Sequence, residues 1–195
     1  LVLICGSKLQ NPEVRGRAVT DMSAEIIDGN KIAQEIKNYV KSEIEILSTK
    51  YGRRPVLVAI QVGSNPASAV YIKNQKSACE EVNIEYRLIE LAETTSEGDL
   101  SETIVSLANN ETINGIIVQM PLPKQIDSRK IQMKLPPNKD VEGITPPNLG
   151  MLLYSGINPI VAPCTALAVI ECLKSTVVKL SGKETVIVGH SEIVG

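Results

Sequence analysis

The feature that most constrains the fold is a regular alternation of helical and strand patterns between Asn30 and Met120. Apolar residues recur at spacings of three and four over residues 30–49, which predicts an amphipathic helix with Ile32, Ile36, Val40, Ile44 and Leu47 on one face. The run VLVAIQVG after Pro55 predicts a strand buried on both faces, and EYRLIEL and GIIVQM predict two more strands. Strands separated by helices indicate βαβ units, so we expect an α/β fold with a parallel sheet. Its ligand site should lie at the carboxyl ends of the strands.

Two further helices complete this pattern. In SNPAS, Ser64 or Asn65 is suited to the N-cap and Pro66 to the first helical position, so VYIKNQKSACEE should be helical. The segment SEGDLSETIVSLAN predicts the next helix, with Leu100, Ile104 and Leu107 facing inward.

Composition excludes several functional classes. The net charge is −2 with scattered Lys and Arg, and the chain has no Phe or Trp, so nucleic-acid binding is not expected. The opening LVLICG is too short to span a membrane. Four widely spaced cysteines and one histidine give neither a disulfide framework nor a metal site, and they favour a reducing, cytoplasmic location. Cys164, which has no partnering histidine, is interpreted as a packing residue.

The chain is interpreted as a fragment in three parts. Residues 1–21 lack clear periodicity and form an unassigned leader that need not be native, because Met22 is a candidate start. Residues 22–165 form a catalytic domain, and residues 166–195 begin a second domain that stops at Gly195.

The helix VYIKNQKSACEE raises the question of which side chain shares a face with Tyr71. At about 100° per residue, Gln75 lies roughly 40° round from Tyr71, and Ser68 lies roughly 60° the other way. Lys76 is about 140° away and Lys73 about 160° away, so both lysines should be solvated on other faces. The Tyr71 face therefore carries an amide rather than an ammonium group.

Two loops could hold a ligand. Gln119 ends a buried strand and should point into the crevice, while Asp140 and Glu142 alternate in an extended, proline-rich loop, so one of them is expected to face inward. Near the end, a predicted strand (TVIV) runs into GHSEIVG, whose small residues suit a tight turn that approaches a phosphate. His190 in this turn is interpreted as a cofactor neighbour rather than a base. Between these loops, PCTALAVIECLK predicts a helix capped by Thr165.

The order and spacing of these motifs resemble the methylenetetrahydrofolate dehydrogenase/cyclohydrolase family. The resemblance covers about Glu25 to Gly195 through IIDGNKIA, VGSNPASAVYIKNQKSACEE, NGIIVQMPLP, NKDVEGITPPNLG, PCT and VIVGHSEIVG. It implies a folate-binding catalytic domain followed by the start of a Rossmann-type NAD(P) domain, most of which is absent here. It also implies NADP as cofactor, with NAD as an alternative, a folate substrate and a homodimer.

The resemblance also assigns roles to residues. Tyr71, Gln75 and Gln119 take the catalytic positions, and the substrate-binding positions are Ser68, Tyr71, Val118, Gln119, Met120 and Glu142. The cofactor positions are Thr165, Gly189, His190, Ser191 and Gly195, and no metal is implied.

Five positions depart from the family pattern. Gln75 replaces a lysine, Glu142 replaces the second aspartate of Asp-Val-Asp-Gly, and His190 replaces the arginine of Gly-Arg-Ser. The family's Pro-Cys-Thr-Pro-x-Gly reads PCTALA here. Hydride loss from a carbon between two nitrogens moves no proton, whereas hydrolysis of the methenyl ring needs proton transfers that an amide cannot perform. We therefore expect a dehydrogenase with impaired cyclohydrolase activity.

Two alternatives remain at this stage. A π-bulge or local unwinding could bring Lys76 round to the Tyr71 face and preserve both activities. Alternatively, the protein could be a catalytically inactive partner that binds folate or nucleotide.

Overall fold

A computed structural model describes residues 2–5, 26–154, 161–176, 178–189 and 191. The chain divides into two compact units, one of Gln34–Pro163 and one that joins Leu1–Ala33 to Cys164–Gly195. The predicted leader lies outside the described residues except for Val2–Cys5.

The larger unit is built on a three-stranded parallel sheet, as the sequence predicts. Its strands are β2 (Val56–Val62), β3 (Glu85–Leu91) and β4 (Gly115–Val118), in the order β3-β2-β4. The register pairs Val56 with Glu85 and Leu57 with Gly115. Helices α1 (Gly29–Tyr51), α2 (Pro66–Glu81) and α3 (Glu97–Ala108) alternate with the strands, which confirms the βαβ pattern.

The core lies where β2 meets its neighbours and α3. Val58 and Ile60 of β2 are buried, and so are Leu100 and Ile104 of α3, as predicted. Six of the seven β2 residues are buried, so this strand is covered on both faces. Burying each such aliphatic side chain contributes about 1.5–3 kcal/mol, which makes this cluster the main source of stability in the larger unit.

Local sequence explains where the helices begin. Pro66 opens α2, where its missing N–H costs no helical hydrogen bond. Ser96 caps α3 by accepting from the Asp99 N–H, and the Asp99 side chain accepts from the Ser96 N–H in return. In α1 the predicted helix is present, but Ile44 is its only buried residue, and Leu47 remains 42% exposed.

The segment after Gln125, for which the sequence predicts a loop, contains two short helices. These are α4 (Ser128–Gln132) and α5 (Pro146–Met151). Asp127 caps α4 by accepting from the Arg129 N–H, and prolines occupy the first turn of α5, where they are tolerated. Pro146 and Pro147 therefore mark the start of a helix rather than a continuing loop.

In the smaller unit, β1 (Val2–Cys5) pairs antiparallel with β5 (Glu184–Ile187), and α6 spans Cys164–Lys174. The prediction that Thr165 caps this helix was wrong, because the helix already begins at Cys164, directly after Pro163. Proline lacks an N–H and fits a helix entrance, so no side-chain cap at Thr165 is required. Among the described residues, no helix is long and apolar enough to cross a membrane.

Candidate active site

The centre of the candidate site is a pair of side-chain amides. Gln119 Nε2 donates a hydrogen bond to Gln75 Oε1 at 2.7 Å. Gln119 directly follows β4, is 6% exposed, and is held by its own N–H, which donates to Ile60 O. Gln75 reaches it from α2, so the pair lies at the carboxyl end of the parallel sheet, where α/β proteins bind their ligands.

Tyr86, which was not predicted from the sequence, is a third member of this cluster. Its hydroxyl donates to Gln75 Oε1 at 3.2 Å from strand β3. Burial, and to a smaller extent the nearby Cys79, raises the pKa of Tyr86 to about 12. The phenol therefore stays protonated at physiological pH. Strand alternation could have placed Tyr86 on one face of β3, but no motif marked that face as part of a site.

The register of α2 agrees with the angular argument from the sequence. Gln75 lies one turn after Tyr71, which is 67% exposed. Lys73 is exposed, and Lys76 is exposed with its Nζ 4.0 Å from Glu80. The helix is α-helical from Pro66 to Glu81, without the π-bulge that would be needed to turn Lys76 toward the Tyr71 face.

Three other predicted substrate residues lie near the end of β4. The Ser68 hydroxyl is buried and donates to Met120 O at 3.1 Å, which ties the first turns of α2 to the chain beyond β4. Met120 itself is 38% exposed and is followed by a cis peptide bond to Pro121. The side chain of Val118 belongs to the hydrophobic core, so only its main chain is available to a ligand.

The loop after residue 139 runs beside β4 and is organised by Asp140. Asp140 forms a parallel bridge with Ile116 and is 1% exposed. Its Oδ1 accepts from the N–H groups of Glu142 and Gly143, and its Oδ2 accepts from the N–H of Thr145. The carboxylate of Asp140 is therefore used to hold the loop.

Glu142 is the loop carboxyl that remains for a ligand. Its pKa is raised to about 7, first by burial and second by the charge of Asp140. A carboxyl with this pKa changes its charge in the physiological range, so it can act as a neutral donor or as an anionic acceptor.

A glycine fixes the position of this loop. Gly143 has a φ of +70°, and a Cβ there would lie 2.5 Å from the carbonyl carbon of Ala162. Only glycine combines that backbone conformation with so close an approach. The Glu142 loop is therefore held between Asp140 on one side and the chain at Ala162–Pro163 on the other.

The predicted cofactor residues belong to the smaller unit. Thr165 is exposed at the second position of α6, and Gly189 and Ser191 are exposed after β5. His190 and Gly195 lie outside the described residues. No atom of the described residues lies within 4 Å of a Cβ built on Gly189, which is compatible with close approach of a dinucleotide to its backbone. No cluster of possible metal ligands occurs among the described residues.

Comparison with known proteins gives a consistent family assignment for this arrangement. The family described as "Tetrahydrofolate dehydrogenase/cyclohydrolase, catalytic domain" matches residues 27–142. The "Bifunctional protein FolD" of Chlorobium chlorochromatii is 39% identical over 170 residues, covering 87% of this chain and 58% of that protein. The protein of the same name from Koribacter versatilis is 43% identical over 174 residues, covering 89% of this chain and 56% of that protein.

Solved structures agree with this result. The crystal structure of the bifunctional enzyme FolD, a methylenetetrahydrofolate dehydrogenase/cyclohydrolase from Campylobacter jejuni, matches with a TM-score of 0.82 and 37% identity. That match covers 89% of this chain and 61% of the other. The Trypanosoma brucei enzyme, solved with NADP and an inhibitor, matches with a TM-score of 0.77 and 32% identity, covering 82% and 54%. This chain thus spans little more than half the length of the proteins it matches.

Proposed function

Because this chain belongs to the tetrahydrofolate dehydrogenase/cyclohydrolase family, we propose that the full-length protein oxidises 5,10-methylenetetrahydrofolate and hydrolyses the methenyl product poorly. The observation that carries this proposal is the hydrogen bond from Gln119 to Gln75. The amide of Gln75 occupies the position at which the family resemblance expects a lysine, and it does so at the carboxyl end of the sheet.

The dehydrogenase step makes modest demands on these residues. The carbon that loses hydride is flanked by two nitrogens, whose lone pairs stabilise the resulting cation, so no side chain has to transfer a proton. A nicotinamide dinucleotide, when bound, supplies the hydride acceptor. What remains for Tyr71, Gln119 and Glu142 is to bind and orient the folate, and positioning of this kind can account for a large share of a rate.

Glu142 is the proposed anchor for the pterin. Its half-buried carboxyl is suited to accept hydrogen bonds from the donor edge of the ring, and binding should favour its ionised form. Glutamate has one methylene more than aspartate, so its carboxyl is positioned well only if the loop is held firmly. The hydrogen bonds that the Asp140 carboxylate accepts from the N–H groups of Glu142 and Gly143 hold the loop in this way.

The cyclohydrolase step requires a proton-transfer group, which the cluster of Gln75, Gln119 and Tyr86 does not provide. Water attack on the methenyl carbon needs a group that takes up and releases a proton. The amides of Gln75 and Gln119 cannot titrate, and the pKa of Tyr86, raised to about 12, makes its phenol a poor acid or base near neutrality. Losing general acid–base help typically lowers a rate by about 10²–10⁴-fold.

The cofactor is proposed to be NADP, with NAD as the alternative because His190 replaces an arginine that could pair with a 2′-phosphate. Thr165, Gly189 and Ser191 would form the edge of its site. A homodimer stays an expectation from the family resemblance, and a cytoplasmic location stays an expectation from the cysteine pattern.

The deciding experiment assays both reactions in the purified full-length protein. Hydride transfer from 5,10-methylenetetrahydrofolate to NADP or NAD, with slow hydrolysis of 5,10-methenyltetrahydrofolate, supports the proposal. Comparable rates for both reactions would favour a fully bifunctional enzyme. Absence of hydride transfer with either nucleotide would favour an inactive binding partner instead.

A further inference from the structure

We infer that Tyr86 is a positioning residue for the proposed reaction, acting through the side chain of Gln75. This inference rests on the proposed function and adds a residue outside the motifs on which the family resemblance was recognised. Side chains from α2, from β3 and from the residue after β4 meet at one oxygen atom, Gln75 Oε1.

Gln75 Oε1 receives two donors from different strands of the sheet. Gln119 Nε2 approaches at 2.7 Å from the end of β4, and the Tyr86 hydroxyl approaches at 3.2 Å from β3. A carbonyl oxygen has two lone pairs, so these two donors use its acceptor capacity. A glutamine side chain has three rotatable bonds, and holding its terminal oxygen from two directions restricts it to one conformer.

This arrangement determines which polar atoms remain for a ligand. The N–H groups of Gln75 and the Oε1 of Gln119 are engaged by neither of the two contacts. Rotating the Gln75 amide alone would set its NH₂ against the NH₂ of Gln119, so the two amides are oriented together. The pair therefore presents a donor on the α2 side and an acceptor on the β4 side, and it fits a ligand edge with the complementary order.

The environment of Tyr86 suits a positioning role rather than a role in proton transfer. Burial raises the pKa of its phenol, so the hydroxyl remains a hydrogen-bond donor throughout the physiological range. A phenol oxygen can also accept, so Tyr86 could equally hold an ammonium group at position 75. Tyr86 could therefore hydrogen-bond to either a glutamine or a lysine at position 75.

The test is the Tyr86→Phe change in two backgrounds of the full-length protein. With Gln75 present, we expect kcat/KM for 5,10-methylenetetrahydrofolate to fall by about 3- to 10-fold, the usual worth of one hydrogen bond. In a Gln75→Ala background the same change should alter kcat/KM by less than about 1.5-fold, because the group it positions is gone. Tyr39→Phe, at an exposed tyrosine of α1, is the matched control and should have no effect.

A second measurement does not depend on turnover. The side-chain NH₂ resonances of Gln75, assigned by their loss in Gln75→Ala, should shift in Tyr86→Phe and stay fixed in Tyr39→Phe. Unchanged resonances together with unchanged kcat/KM would overturn the inference. Equal losses of kcat/KM in both backgrounds would also overturn it, because they would mean that the hydroxyl supports the fold in general.

A binding titration of the parent protein with 5-formyltetrahydrofolate distinguishes failure of the proposed function from failure of the role inferred for Tyr86. A parent that neither binds this folate nor transfers hydride contradicts the proposed function, and with it the role of Tyr86. A parent that does both, but is indifferent to Tyr86→Phe, contradicts only the role of Tyr86.

Discussion

Gln119 Nε2 lies 2.7 Å from Gln75 Oε1, so two neutral amides meet at the carboxyl end of the sheet where the family resemblance expects a lysine beside a glutamine. Neither amide can gain or lose a proton near neutral pH. The pair can orient a ligand but cannot activate water. Under the proposed function, this relationship would impair only the hydrolysis step, because only that step requires proton transfer.

Replacing Gln75 by lysine should restore the missing proton-transfer group. We expect the Gln75→Lys variant of the full-length protein to hydrolyse 5,10-methenyltetrahydrofolate about 10²–10⁴-fold faster than the parent, while hydride transfer changes by less than about tenfold. Both reactions are measured by absorbance of the methenyl compound.

The neighbouring lysine supplies the control for this prediction. Lys76 is exposed beside Glu80, so Lys76→Ala should leave both rates unchanged. A parent rate of hydrolysis within about tenfold of the Gln75→Lys rate would show that the lysine position is not needed for hydrolysis. A loss of hydrolysis in Lys76→Ala would show that Lys76 performs the task instead.

Periodicity was sufficient to predict the sheet, the helices between its strands and the register of α2. The period of 3.6 residues in α2 decided that Gln75, rather than Lys73 or Lys76, lies one turn from Tyr71, because helix geometry leaves little freedom over a single turn. Parallel order of the strands followed from the helices between them.

Contacts between segments that are distant in the sequence could not be predicted from periodicity. Tyr86 joins the site only because β3 pairs with β2 in one register, and nothing local to EYRLIEL indicates that. Asp140 looked equivalent to Glu142 in the sequence, yet its carboxylate accepts from the main chain of its own loop. Which of two carboxylates accepts hydrogen bonds from the main chain depends on the conformation of the loop, and residue spacing does not reveal that conformation.

Glu142 should make stability depend on pH. Its pKa in the folded protein is about 7 against an ordinary value of 4.5, so the folded state binds more protons than the unfolded state between these values. The free energy of unfolding should therefore fall as pH rises from about 4.5 to 7, by up to about 1.4 kcal/mol for each unit of pKa difference. In Glu142→Gln this contribution disappears, so the variant should gain stability relative to the parent at pH 8 but not at pH 4.5.

Urea unfolding of both proteins at several pH values measures this difference. The exposed Glu102→Gln change is the control, and its difference from the parent should not vary over the same range. A Glu142→Gln difference that is constant with pH would contradict the raised pKa.

Asp140 should be far more important for stability than a surface cap of the same residue type. Asp140→Ala leaves the buried N–H groups of Gly143 and Thr145 without their acceptor, and the Asn148 amide keeps only its hydrogen bond to Pro137 O. We expect a loss of about 3–5 kcal/mol in the free energy of unfolding, together with weaker folate binding through Glu142. Thermal and urea unfolding measure the first effect, and titration with 5-formyltetrahydrofolate measures the second.

Asp127→Ala is the matched comparison for Asp140→Ala. Asp127 is exposed and caps α4 by accepting from the Arg129 N–H, so its removal should cost about 1 kcal/mol. Equal losses in the two variants would mean that the buried bonds of Asp140 contribute no more than an exposed cap.

Removing the hydroxyl of Thr145 should not destabilise the protein, in contrast to removing the carboxylate of Asp140 or Asp127. Thr145 is fully buried, and its Oγ1 meets no hydrogen-bond partner among the residues that the structure describes. Its N–H bond to Asp140 belongs to the main chain and survives substitution. Because valine has the same shape without the polar group, Thr145→Val should leave the free energy of unfolding unchanged or raise it by up to about 1–2 kcal/mol.

Thr112→Val is the matched control for Thr145→Val. It removes a hydroxyl that donates to Asn110 Oδ1 at 2.7 Å, so it should lower the free energy of unfolding by about 0.5–1 kcal/mol. If Thr145→Val destabilised the protein more than Thr112→Val in urea unfolding, the buried hydroxyl would have to be hydrogen-bonded in solution.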